Sequence, residues 1–186
     1  MTPLHDVHDD ADLRRLFGRF PTGVIALCAM DHGEPVGMTA STFVAVSIDP
    51  PLTSVCIKQG SGAWRRLRRQ ARVGISFLSH VHAATARQLA QKTGDRFLGL
   101  DHEATAGGAV FLADATAWLE CSIEKEIGAG DHDLVLFRLH RGAVAFDARP
   151  LVFHSSDFHT LVRLEEGRMA GAKGAKAIVN IAGARA

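Results

Sequence analysis

The chain has 186 residues, 47% hydrophobic and 22% charged, with a net charge of +1. That balance fits one globular domain with a sizeable core and excludes a disordered chain. Near-neutral charge also excludes the strong basic field that draws proteins to nucleic acid or to an anionic membrane.

Taken in order, the opening MTPLHDVHDDADLRR is acidic and polar where a secretion signal would be basic and then apolar. No uninterrupted apolar run approaches the roughly 20 residues that span a bilayer, so a cytoplasmic protein away from the membrane is expected. Leu13, Leu16, Phe17 and Phe20 share one helical face, ended by Pro21. Val24 to Met30 is a continuous apolar run of strand length, followed by an Asp31-His32-Gly33 turn. A strand is expected over Val36 to Val46, closed by Asp49-Pro50-Pro51, and another over Leu52 to Ile57. Trp64, Leu67 and Ala71 mark the apolar face of a helix that carries Arg65, Arg66, Arg68 and Arg69 elsewhere. A strand over Val73 to Leu78 precedes a helix over His82 to Lys92, stopped by Gly94. Residues 94 to 109 are expected to be a loop.

The clearest period-2 signal follows. Ala117, Leu119, Cys121, Ile123 and Ile127 point one way, and Glu120, Ser122, Glu124 and Glu126 the other, a half-buried antiparallel strand. Gly128 to Asp133 turns into a strand over Leu134 to Leu139, with shorter ones at Ala143 to Phe146 and Leu151 to Phe153. Seven or more strands, three helices and no βαβ alternation predict a mainly β (α+β) fold, a mixed or closed antiparallel barrel with peripheral helices. The domain is expected over residues 1–164. The Gly/Ala-rich tail, 165–186, has few large side chains to bury and is expected to be loose or to pack on a partner subunit.

Cys28, Cys56 and Cys121 are odd in number, far apart and set in apolar runs. They read as buried free thiols, not as a disulfide framework or a paired-cysteine zinc site. Ten histidines raise a metal alternative, but no HExxH or other helix-spaced ligand set is present. A hydrolase nucleophile lacks its GxSxG elbow. Three segments could carry chemistry. Ser54 to Trp64 runs from a strand through Gly60, Ser61 and Gly62 into a helix. Such a turn is either an anion cradle of backbone N–H groups or a plain glycine turn. Gly37-Met-Thr39-Ala-Ser41-Thr42 places hydroxyls in an apolar strand, offered to a ligand or satisfied by neighbouring carbonyls. Gly130-Asp131-His132-Asp133 sets a histidine among carboxylates, which either tune an imidazole for an anionic or amide group or decorate a surface turn.

These segments, in this order, resemble the short-chain flavin reductases that serve two-component flavin-dependent monooxygenases. The likeness runs from about Phe17 to Leu161. Its landmarks are Phe20-Pro-Thr-Gly-Val24, Gly37-Met-Thr-Ala-Ser41, Ser47-Ile-Asp-Pro-Pro51, Gly94-Asp-Arg-Phe97, Ala117-Trp-Leu-Glu-Cys121, Gly130-Asp-His132 and Pro150-Leu-Val-Phe-His154. The resemblance implies an FMN-binding split β-barrel that forms a homodimer, with FMN or FAD near the interface and NADH or NADPH as reductant. By position, Gly37, Met38, Thr39, Ala40, Ser41 and Phe43 match the stretch bordering the isoalloxazine ring. Val55, Cys56 and Ile57 match the strand beneath it, and Gly60 and Ser61 the phosphate turn. Arg87 matches the helix near the flavin tail, His132 the residue associated with the nicotinamide nucleotide, and His154 the closing motif by the same pocket. The chain departs from the family at Gly60 and Ala63, where relatives carry hydroxyls, and at Ser155-Ser-Asp157, where they carry basic residues. The implied activity is NAD(P)H:flavin oxidoreduction without a protein nucleophile, the reduced flavin passing to a partner monooxygenase. A non-catalytic flavin-binding protein for storage or sensing is the alternative, and a permanently bound flavin a third possibility.

Overall fold

A computed structural model describes residue 4 and residues 6–145 and 147–163. The expected tail and Phe146 lie outside the described residues. After helix α1 (Asp10–Phe17) come strands β1 (Thr22–Gly23), β2 (Ile25–Asp31), β3 (Glu34–Ala40), β4 (Val44–Ser47) and β5 (Leu52–Lys58). Helix α2 (Gly62–Leu67) leads to β6 (Val73–Phe77), a 3-10 turn (His80–His82) and α3 (Ala83–Leu89). The chain then forms β7 (His102–Ala104), β8 (Val110–Leu112), β9 (Ala117–Ala129), β10 (His132–Val144), β11 (Leu151–His154) and β12 (Asp157–Thr160).

Seven strands make one antiparallel sheet in the order β3-β2-β6-β9-β10-β5-β4. The sheet curls until β3 approaches β5, yet no ladder joins them. The chain itself bridges the gap: residues 41–43 leave β3 and cross to join β5 as β4, where Val44 faces Ser54. Past that point the Thr42 hydroxyl donates to the Cys56 carbonyl and accepts from the Cys56 N–H, both at 3.0 Å. No strand pairing joins Gly37–Ala40 to Val55–Lys58, and there the barrel stays split.

Two apolar clusters hold the fold. Inside the barrel, Leu27, Val55, Ile57, Ile75, Val135 and Phe137 are fully buried, and Trp64 and Leu67 of α2 close one end. On the outer face of β2, Ala26 and Cys28 lie under Leu89 of α3, Phe97, Val110 and Leu151. β2 is therefore buried on both faces, which is why residues 24–30 show no polar alternation. Burying a leucine- or phenylalanine-sized side chain contributes roughly 1.5–3 kcal/mol, so the second cluster is as much a core as the barrel lumen. Gly74 shows how close the layers lie: a Cβ there would stand 2.1 Å from the Val110 carbonyl oxygen.

Several expectations need correction. Helix α1 stops at Gly18, whose N–H reaches the Arg14 carbonyl, one turn before Pro21. None of its residues is buried, and Phe17 and Phe20 are 71% and 74% exposed. The Val36–Val46 strand is two strands divided at the crossing, and α2 ends at Leu67, short of Ala71. The 94–109 loop contains β7, which pairs with the unforeseen β8. Strands β1 and β12 were also missed, and residues 134–139 and 143–144 belong to one strand.

The alternation along β9 breaks at a bulge: Leu136 faces Lys125 but Phe137 faces Ile123. The extra residue flips parity, so Ile127 turns out (39% exposed) and Glu126 reaches Arg68 at 3.0 Å. Glu120, expected to face solvent, is 4% exposed because Thr105 and Arg141 bind its two oxygens. Burial pushes its carboxyl up, but those hydrogen bonds and the charges of Arg141 and Arg72 outweigh burial and hold it below the usual carboxylate value.

Candidate functional site

The residues singled out by sequence gather in two groups beside the split. The first lines the opening itself. β3 is an edge strand, so Gly37–Ala40 pair only with β2. Opposite them, Val55 and Ile57 send their side chains into the barrel core, at 0% and 1% exposure, and stand in the ladder with β10. Cys56 alternates to the other face and is half-buried. At the top of the gap Phe43 packs edge-on against Phe77, ring centroids 4.7 Å apart. With Phe20, Thr22 and Ser41 it lines a cleft of about 280 Å³.

At the lower end, β5 runs into the Gly60–Gly62 turn. Gly60 has φ +80°, a left-handed conformation suited to glycine, and open space surrounds it. Ser61 caps α2 by accepting from Trp64 N–H, and its hydroxyl points to Met38 Sδ at 3.9 Å. A larger cleft, about 670 Å³, opens where Gly62 and Ala63 approach Gly37, Phe97, Arg66 and Arg96. Arg96 donates to the Gly37 carbonyl at 3.0 Å, so that stretch of β3 is covered by the 92–97 loop. Gly37 must stay small here, since a Cβ would meet Cys28 Sγ at 2.7 Å and Phe97 Cζ at 2.9 Å.

His132 belongs to this group. It opens β10 directly opposite Lys58, after the Gly130–Asp131 tip of the β9–β10 hairpin. Asp131 Oδ1 lies 2.7 Å from His132 Nδ1, which leaves Nε2 free for a ligand. The hydrogen bond from His132 comes first, and the charges of His132 and Lys58 add to it, in holding the Asp131 carboxyl below its ordinary value. Such a pair fixes the imidazole orientation.

The second group sits on the flank of α3. Thr39 donates to the Ala86 carbonyl at 3.4 Å, tying β3 to this helix. Next on α3, the Arg87 guanidinium lies 4.8 Å above the Phe158 ring and 3.8 Å from Asp157. His154 and His159 face each other at 5.9 Å, and His159 Nε2 donates to the His154 carbonyl at 3.3 Å. Asp157, which stands where the resemblance leads one to expect basic residues, is thus the partner of Arg87. His154 contacts this flank, and nothing described links it to His132 within one chain.

Thr39 and Thr42 are both satisfied by carbonyls, the plain alternative for that hydroxyl run. Thr42, Arg96 and Gln59 were not singled out for the site. Thr42 lay inside the hydroxyl run, but its role as the stitch across the split depends on a strand crossing that no local pattern encodes. Burial pushes the Cys28 and Cys121 thiols up to about 12, so neither is a nucleophile. Among the described residues, no group of three or more His, Cys, Asp or Glu is placed to hold a metal ion. No described helix is long and apolar enough to cross a membrane.

A curled antiparallel barrel, split along one seam with glycines and backbone edges exposed there, defines a class of fold. The chain belongs to that class's flavin reductase family: residues 17–162 match the flavin reductase like domain. It is 36% identical over 135 residues to the stachydrine N-demethylase reductase subunit Stc3 of Rhizobium meliloti (strain 1021), covering 72% of this chain and 59% of that protein. The reductase subunit HsaB of a flavin-dependent monooxygenase from Rhodococcus jostii (strain RHA1) is 28% identical over 150 residues, 81% of this chain and 77% of that one. Among solved structures, the NADH:FAD oxidoreductase SgcE6 of Streptomyces globisporus C-1027 superposes with a TM-score of 0.79 at 31% identity, over 88% of this chain and 99% of that one. The chain spans about half the length of the Rhizobium meliloti relatives it matches, 59% of Stc3 and 43% of another.

Proposed function

We propose that this chain is an NAD(P)H:flavin oxidoreductase that reduces FMN or FAD and passes the reduced flavin to a partner monooxygenase. The observation that carries the reading is the split itself, where two strand edges and a glycine turn converge in a member of this family. The outer edge of β3 beyond Gly37, which pairs with β2 on one side only, fits the hydrogen-bonding rim of a flat polar ring, and Gly60 offers the uncrowded turn a phosphate needs. Flavin, when bound, supplies the two-electron chemistry, accepting hydride from NAD(P)H.

The protein's own residues then hold and orient. Gly37, Met38, Thr39, Ala40, Ser41 and Phe43 border the ring. Val55, Cys56 and Ile57 form the strand beneath it, and Gly60 and Ser61 take the phosphate. Arg87, steadied by Asp157, answers negative charge along the tail. His132 presents Nε2 to the nicotinamide nucleotide, and His154, beside His159, is the closing-motif residue assigned to the same nucleotide. No residue need donate or accept a proton in the transfer; proximity and exclusion of water suffice. The chain works as a homodimer in the cytoplasm, with Val44, Val46 and Ile48, each about half exposed or more, as apolar surface for a second copy.

The names of HsaB, a reductase subunit, and of SgcE6, which uses NADH and FAD, support the partner and the first cofactor pair to try. Anaerobic stopped-flow absorbance near 450 nm tests the activity. Catalytic bleaching of excess flavin is the expected result. Bleaching of one equivalent alone would mean a permanently bound flavin. Tight binding without bleaching would leave a storage or sensing protein.

A further inference from the structure

Residue 59 holds the tip of the β9–β10 hairpin at three consecutive positions. Its backbone N–H donates to the Asp131 carbonyl at 3.1 Å. Its side-chain amide donates to Asp133 Oδ1 at 3.0 Å and lies 3.5 Å from the His132 carbonyl. The same residue leads directly into the glycine turn, which is closed by the Ser61 N–H donating to the Lys58 carbonyl at 3.3 Å. The ladders to β5 and β9 hold the backbone of His132 and Asp133 but end there. The Gly130–Asp131 turn is only two residues long, Asp131 is 77% exposed, and the Asp131 carboxylate that orients His132 rides on this turn.

We infer that Gln59 is a positioning residue that sets His132 through the hairpin tip and couples the nicotinamide histidine to the flavin-phosphate turn. The inference rests on the proposed reductase activity and on the role given there to His132. Gln59 need touch neither cofactor. Its backbone N–H holds Asp131 and its side-chain amide holds Asp133 and the His132 carbonyl, and Asp131 fixes the imidazole. A ligand that orders the glycine turn would then also order the residue that receives the nucleotide, so flavin occupancy would favour nucleotide binding.

A double-mutant cycle with the full-length protein tests this, reading KM and kcat for NAD(P)H and, separately, the Kd for oxidised flavin. Gln59→Ala and the near-isosteric Gln59→Glu, which sets a carboxylate against Asp133, should each raise the nucleotide KM about three- to tenfold, the range of one lost hydrogen bond. Flavin Kd and kcat should stay within about twofold, and Gln59→Arg, which restores a donor to Asp133, should recover most of the loss. In a His132→Ala background, Gln59→Ala should add nothing further to KM. A full additional increase there, or parallel losses in kcat, flavin binding and melting temperature, would show that Gln59 is merely structural and overturn the inference. An inactive wild type would instead overturn the activity, and an unchanged KM in His132→Ala alone would overturn the role of that histidine.

Discussion

Histidine serves two opposite ends in this molecule. His132 is half-exposed and held at Nδ1 by Asp131, an arrangement that keeps one nitrogen for a ligand. His132→Ala should raise the apparent KM for the nicotinamide nucleotide about tenfold, the scale of one charge-assisted hydrogen bond, with little change in oxidised-flavin affinity. Steady-state kinetics beside a flavin titration would check this, and equal damage to both would make the residue structural. His82 is 8% exposed, accepting at Nδ1 from the Ser79 N–H and lying 2.9 Å from its hydroxyl. Burial lowers its pKa from the ordinary 6.5, against the raising effects of the Ala113 carbonyl and Asp114. In the unfolded chain the ring protonates near 6.5, whereas in the folded chain it stays neutral to lower pH. Its contribution to stability is therefore complete above about pH 6.5 and declines as the pH falls toward the folded value. Urea midpoints at pH 7.5 and 5.5 should differ less in His82→Asn than in the native chain; an equal drop in both would assign the acid sensitivity elsewhere.

Strands differ in how much of their fate is written locally. β2 was legible because seven residues without a polar break cannot sit on a half-solvated face. The β9–β10 hairpin was legible from alternation and a glycine turn, and the residues beside the split from their order along the chain. The bulge at Glu124 was not legible, because an extra residue changes parity without altering composition, and Glu120 was misplaced because its partners, Thr105 and Arg141, come from distant segments. Short strands such as β1 and β8 exist only through tertiary pairing, so no periodicity announces them. Gly74 gives a measurable case: its lack of a side chain is demanded by β8 crossing over β6, not by its own strand. Gly74→Ala should cost about 3 kcal/mol, the upper range for overpacking, and lower the melting temperature by about 6–12 °C. A loss under about 1 kcal/mol would mean that β8 can lift away freely.

At the scale of the whole molecule, the seven-stranded sheet ends in two edges that are treated differently. The β3 edge is covered at Gly37 by Arg96, whereas β4 presents Val44 and Val46, 56% and 48% exposed, followed by Ile48 at 95%. If a second copy covers that surface, light scattering should give twice the 20.0 kDa of one chain, and Val46→Lys should return the monomer mass. A native chain that is monomeric at micromolar concentration would refute the dimer. The bare edge also has a consequence for biogenesis. An unpaired, apolar, Pro-free strand is a template on which other nascent copies can add strands at random. Between folding and assembly the protein is therefore exposed to amyloid-like association, and its yield on dilution from denaturant should fall steeply with concentration. A single lysine on β4 would act as a gatekeeper, giving a chain that renatures more cleanly even where it no longer assembles.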